Sequence, residues 1–215
     1  MLKGGNLLIT FVGINGSGKS TILSQVYELV NQDEEIAGKF ERIMKVKFPC
    51  NARYNMYDLI KNKNPRINQE MALDRYLYFY NSYRDDLSVL NRILLFSDRY
   101  MSCNFAFGTN GTLEELKEME KMEYTMLDNP RPFLEFLIDV PAYVARSRML
   151  ARGNELRTND ENYRLQHKAR ESYLVAAKAN SNFTYVIDNS TGTSLSKAIG
   201  IYQIIKTKME AITNV

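Results

Sequence analysis

Leu7-Leu8-Ile9-Thr10-Phe11-Val12-Gly13-Ile14-Asn15-Gly16-Ser17-Gly18-Lys19-Ser20-Thr21 is the stretch that decides the fold of this 215-residue chain. The near-continuous apolar run that ends at Val12 suits a strand covered on both faces. The residues from Gly13 to Ser20 fit G-x-x-x-x-G-K-[ST] at every fixed position. After them Ile22, Leu23, Val26, Tyr27 and Val30 recur on one face of a helix. Glycines let such a loop curl so that its N–H groups face phosphate oxygens, and the helix N-terminus adds partial positive charge. Lys19 is expected to bridge the β- and γ-phosphates, and the Ser20 hydroxyl to ligate Mg²⁺. Gly13, Asn15, Gly16, Ser17, Gly18, Lys19, Ser20 and Thr21 therefore form the expected binding set for ATP with Mg²⁺.

Outward from this stretch, short apolar runs alternate with helical patterns, the signature of βαβ units and a parallel sheet. Strands are predicted over 7–12, 43–48, 93–97, 134–139 and 183–187. Helices are predicted after the glycine loop and over 68–90, 112–128, 141–150, 159–179 and 194–212. The third of these starts on a capping box, Thr112 with Glu115. Pro141 suits the first turn of the fourth. No linker, repeat or low-complexity segment divides the chain. The expected architecture is a three-layer α/β fold of the phosphate-loop NTPase kind, with a parallel sheet of about five strands, as one domain over 1–215.

Composition agrees with an ordinary folded protein: 45% hydrophobic, 25% charged, net charge +3. Charges are mixed, with no basic stripe interleaved with aromatics, so no nucleic-acid partner is expected. Two cysteines and one histidine, His167, lack metal-ligand spacing. No small-residue cleavage site follows the first apolar run, and no apolar stretch approaches the roughly 20 residues that span a bilayer. The expected setting is soluble, reducing and cytoplasmic.

A second constellation follows the third predicted strand. In a parallel sheet, functional groups gather at the strands' carboxyl ends. Asp98 is so placed for the Mg²⁺ shell and Arg99 for a phosphate. The run Asp98-Arg99-Tyr100-Met101-Ser102-Cys103-Asn104-Phe105-Ala106-Phe107 closely resembles the D-R-Y-x-x-S-x-x-A-[YF] segment of thymidylate kinases. The resemblance covers nearly the whole chain. Phe11-Val12-Gly13 through Thr21 looks like F-E-G-x-D-G-x-G-K-S/T-T, and Phe48-Pro49 like the F-P of one branch. Arg131-Pro132 and the following run to Pro141 resemble R-P-D-L-x-x-x-L-D-V-P. Ala151-Arg152-Gly153 with Tyr173-Leu174 is similar to the lid and the helix after it, and Ile187-Asp188-Asn189-Ser190 to the late I-D-A-S turn.

Departures are as informative. The family's acidic loop residue, which reaches the sugar 3′-hydroxyl, is Asn15 here. Its serine is Cys103, its frequent glutamine is Gly108, and the glutamate before the first loop glycine is Val12. The family's F-x-x-D-R helix motif fits best at Met71-Ala72-Leu73-Asp74-Arg75. That keeps the base-contacting Arg75 and leaves the stacking ring to Tyr76, Tyr78, Phe79 or Tyr80 under a shifted register. Arg53 lies near the family's position for a second phosphate-binding arginine. The resemblance thus implies an acceptor set of Arg99, Arg75, Asn15, Arg53 and Phe107.

Arg146, Arg148, Arg152, Arg157 and Arg164 crowd the region after the fourth strand. Phosphoryl transfer spreads charge over the equatorial oxygens, and guanidinium forks stabilise it. Bacterial-type thymidylate kinases resemble this arrangement, carrying their catalytic arginine in a lid beside a neutral loop. A mobile lid over about 146–160 is therefore expected, with Arg152 and Arg157 catalytic beside Lys19 and Asp98. Arg148 ranks next. His167 is read as structural.

The reading that results is transfer of the γ-phosphate of ATP to dTMP or a related pyrimidine deoxynucleoside monophosphate. A deoxynucleoside kinase is the nearer rival, although Val12 and Asn15 offer it no carboxylate base. A non-catalytic nucleotide-binding module is the rival of another class. The resemblance also implies a homodimer, and the apolar faces of the long helices serve equally as core.

Overall fold

The computed structural model describes residues 6–48, 92–152 and 163–213. Five parallel strands form the sheet: β1 (Leu7–Val12), β2 (Arg42–Lys47), β3 (Ile93–Asp98), β4 (Leu134–Asp139) and β5 (Thr184–Asp188), in the order β2-β3-β1-β4-β5. Every residue of β1 and of β3 is buried, as their apolar runs require. The outer strand β2 has only exposed and half-buried residues and carries Arg42, Lys45 and Lys47, charges that discourage edge pairing.

Strand alternation divides the core into layers. Leu7, Ile9 and Phe11 of β1, Leu94 and Phe96 of β3, and Leu134, Phe136 and Ile138 of β4 face one side. There they meet α1 (Lys19–Gln32) through Ile22, Leu23, Val26 and Val30, and the C-terminal helix α7 (Ser194–Thr213) through Ala198, Ile201, Ile205 and Met209. The opposite face holds Leu8, Leu95, Val12 and Leu137. It is covered by α3 (Met101–Gly108) and α6 (Tyr163–Ala179), whose Phe107 and Tyr173 rings meet edge to face at 6.2 Å. Helix–sheet–helix layering is thus the expected architecture, with the sheet's carboxyl ends gathered at one rim.

The remaining helices are α2 (Glu34–Ala37), α4 (Leu113–Lys121) and α5 (Ala142–Ala151). The expected capping box is present at the start of α4. Thr112 Oγ1 accepts from Glu115 N at 3.2 Å, and Glu115 Oε2 accepts from Thr112 N at 3.1 Å. The helix predicted to run on to 128 instead changes to a single π turn, Met122–Met126. Pro141 is the N-cap of α5 rather than part of its first turn.

Two short helices have no counterpart among the sequence expectations. Helix α2 is nucleated by Asp33, whose Oδ1 accepts from Glu35 N and Ile36 N. Helix α3 is buried at every residue, so it carries no amphipathic period for a sequence pattern to report. The helix predicted over 68–90 lies outside the described residues, as do 159–162 of the helix predicted to begin at 159.

Candidate phosphate-transfer site

The loop after β1 takes its shape from glycine. Gly13 has φ +141° and Gly16 φ +82°. A Cβ on Gly13 would stand 2.5 Å from Ile138 O, and one on Gly16 2.5 Å from Ala145 O. Both positions therefore need glycine for conformation and for close approach. Gly18 caps α1 without a side-chain hydrogen bond, which leaves the helix's first N–H groups to an anion.

Lys19 is buried, and its Nζ donates to Ile14 O at 3.4 Å, folding the side chain back over the loop. Burial, reinforced by the neighbouring Arg99 charge, brings its ammonium down to about 7. Ser20 Oγ donates to Asp98 Oδ2 at 2.7 Å. Asp98 is buried, and its Oδ1 has no hydrogen-bond partner among the described residues. A hydroxyl beside a carboxylate with one unmatched buried oxygen suits a hard cation such as Mg²⁺. No group of three or more His, Cys, Asp or Glu side chains gathers among the described residues. A Mg²⁺ ion here would be held by the Ser20 hydroxyl and the Asp98 carboxylate.

Arg99 follows Asp98 in the chain, and its backbone turns sharply to φ +77°. The turn is held from both sides: Arg99 N donates to Phe11 O at 2.9 Å, and Ser97 Oγ donates to Arg99 O at 2.6 Å. The guanidinium is thereby brought to the loop, where Nη2 donates to Asn15 Oδ1 at 2.6 Å. Asn15, read as the replacement for a sugar-contacting acid, is thus in contact with Arg99 as well. Tyr100, third in the same run, is buried in the core and donates its hydroxyl to Pro130 O at 2.7 Å.

The structure distributes the other expected site residues unevenly. Ser17 is buried with its Oγ unmatched among the described residues, while Ser20 and Thr21 are exposed. Phe107 is buried in the apolar layer against Tyr173. Arg152 is the exposed C-cap of α5, and 146–151 of the expected lid belong to that helix. Arg148 Nη2 donates to Asn189 O at 2.7 Å, so this arginine is tied to the turn after β5. His167 is exposed on α6. Arg53, Arg75 and Arg157 lie outside the described residues, as does most of the expected lid.

Three features were not foreseen. Asn189 Nδ2 donates to Ser17 O at 2.7 Å, bracing the loop from β5. Gln166, buried on α6, accepts at Oε1 from Asn15 N at 3.0 Å. Glu135, buried on β4, accepts from Thr10 Oγ1 at 3.1 Å and from Ser102 Oγ at 2.8 Å, and burial pushes its carboxyl up to about 7. An ionisable residue in the middle of an apolar run was the signal for Glu135, whereas Gln166 stands among polar neighbours and gave none.

A phosphate loop backed by a strand-end carboxylate and arginine defines a nucleotide-binding protein built for phosphoryl chemistry. Comparison with known proteins narrows that class. The family model described as thymidylate kinase matches residues 11–198, and the chain belongs to this family. It is similar to the thymidylate kinase of Thermosipho melanesiensis, 27% identical over 86% of this chain and 90% of that one. It is similar also to that of Fervidobacterium nodosum, 28% identical over 90% and 96% of the respective chains. In fold it matches the crystal structure of thymidylate kinase from Ehrlichia chaffeensis with TM-score 0.62 and 16% identity, over 94% of this chain and 99% of that one. The resemblance read from the motifs is therefore correct. No helix among the described residues is long and apolar enough to cross a membrane.

Proposed function

We propose that this chain transfers the γ-phosphoryl group of ATP to dTMP, giving the diphosphate. The observation that carries the reading is the pair of hydrogen bonds from consecutive residues, Ser20–Asp98 and Asn15–Arg99. They join the expected donor side and the expected acceptor side of one site. The family supplies the substrate, since thymidylate kinase is the activity its description names.

In this reading the loop N–H groups and the start of α1 hold the donor phosphates. Lys19 lies folded on Ile14 O and swings to the β- and γ-oxygens, whose charge favours its ammonium form. Mg²⁺ held at Ser20 and Asp98 would neutralise charge on the donor oxygens. Arg99 grips the acceptor phosphate, with Asn15 between it and the loop. Arg75, Arg53 and Phe107 complete the acceptor set, and Arg152 and Arg157 deliver charge from the lid as the site closes. The acceptor is itself an anionic phosphate, so no general base is needed; positioning and charge neutralisation lower the barrier. A homodimer and a cytoplasmic setting complete the proposal, on the strength of the family resemblance alone.

ADP release is the test, with ATP, Mg²⁺ and a panel of nucleoside monophosphates, thymidine included as a control. Turnover with dTMP above the other nucleotides is expected. Turnover with thymidine alone would replace the reading by a nucleoside kinase, and none with any acceptor by a binding module.

A further inference from the structure

Gln166 sits in the first turns of α6, directly after the segment expected to form the lid, and is buried. A buried glutamine amide costs desolvation unless its polar atoms are matched. Its Oε1 is matched by the Asn15 backbone N–H at 3.0 Å. Its Nε2 has no partner among the described residues. Asn15 in turn presents Oδ1 to Arg99 Nη2 at 2.6 Å. The three residues form one chain of hydrogen bonds from α6, through the variable part of the phosphate loop, to the arginine at the end of β3. The backbone bond holds the Asn15 main chain, and that sets where the Asn15 side chain starts toward Arg99.

We infer that Gln166 is a positioning residue for the acceptor site, acting through Asn15 to set the Arg99 guanidinium. This rests on the proposed function, because Arg99 is taken there as the group that grips the acceptor phosphate. The link also places the acceptor grip under the influence of the helix that leaves the lid.

Gln166→Met keeps the length of the side chain and removes the acceptor for Asn15 N–H; Gln166→Ala removes it without adding bulk. Steady-state kinetics with dTMP should show the acceptor KM raised about five- to tenfold in both, the worth of one hydrogen bond. The KM for ATP should stay within about twofold of the parent. The discriminating measurement is the double variant. Asn15→Ala keeps the backbone N–H but cuts the link to Arg99, so adding Gln166→Met to it should change the acceptor KM no further. Equal changes in both KM values, or additive effects in the double variant, would overturn the inference, since both describe a general loosening of the loop. A parent that turns over dTMP while Gln166→Met behaves like it removes this inference alone. A parent that accepts no nucleotide removes the proposed function and this inference with it.

Discussion

Replacing Glu135 by glutamine should make the protein less sensitive to alkali without touching phosphate chemistry. Glu135 lies in β4 on the face opposite Phe136 and Ile138, buried, with Thr10 and Ser102 donating to its carboxyl oxygens. No lysine or arginine is hydrogen-bonded or ion-paired with it among the described residues. Burial therefore outweighs the two hydroxyls, and the group ionises at about 7 in the folded chain against an ordinary 4.5. Between those values the folded state holds a proton that the unfolded state has released. Stability must then fall as pH rises: the contribution is full below 4.5 and gone once pH passes 7. The difference amounts to about 3 kcal/mol in all, of which about 2.5 kcal/mol is lost between pH 5 and 8.

Glutamine has the same shape, carries no charge, and can exchange hydrogen bonds with two rotatable hydroxyls. Urea unfolding of parent and Glu135→Gln at pH 5, 6, 7 and 8, with unchanged m, gives the comparison directly. The variant should gain on the parent steadily as pH rises, by about 2.5 kcal/mol over that range. Curves that stay parallel within about 0.5 kcal/mol would refute the reasoning, because they would mean that the carboxylate is solvated or paired in the native state. A gain confined to pH below 5 would contradict the sign as well.

Lys19→Ala should abolish detectable phosphoryl transfer, a loss of at least about a thousandfold in kcat, while the urea midpoint stays near the parent's. Arg99→Lys keeps the charge but not the planar fork, so the acceptor KM should rise about tenfold or more with the ATP KM little changed, read from the same ADP-release assay. Gly16→Ala combines φ +82° with a 2.5 Å approach to Ala145 O. It should weaken ATP binding by about tenfold or more, measured by calorimetry, because the loop must leave its phosphate-binding shape to relieve the contact.

Where the sequence was legible, a strong local rule coincided with the fold. The phosphate loop has a fixed spacing, the capping box at Thr112 and Glu115 has a fixed offset, and the strands have period or saturation. Motif membership was a poorer guide to what each residue does. In the D-R-Y run, Asp98 and Arg99 reach the loop, but Tyr100 anchors Pro130 from within the core. Arg131 of the R-P pair lies over the Tyr124 ring at 4.2 Å, and Asp139 holds Arg170 through both its oxygens. These side chains fix loops and helices. Pairings such as Gln166 with Asn15, 151 positions apart, leave no trace in either neighbourhood. They depend on the sheet order, which brings α6 over the loop, and a sequence specifies that order only through the packing of the whole core.

The same sheet explains how Asp98 and Arg99, consecutive in the chain, both reach the loop after β1. Successive side chains of a strand point to opposite faces, so a regular continuation of β3 would send the two residues apart. Arg99 escapes that alternation by taking φ +77°, a conformation that costs a non-glycine residue about 1–2 kcal/mol. The Phe11 carbonyl and the Ser97 hydroxyl hold it there. Both neighbours of this turn are buried parts of β1 and β3, so the strain is imposed by the most rigid part of the molecule. Carboxylate and guanidinium then both reach the loop after β1, one at Ser20 and the other at Asn15. A regular strand end would give either contact but not both. The strained residue is therefore what lets consecutive side chains bond the same loop, Asp98 at Ser20 and Arg99 at Asn15.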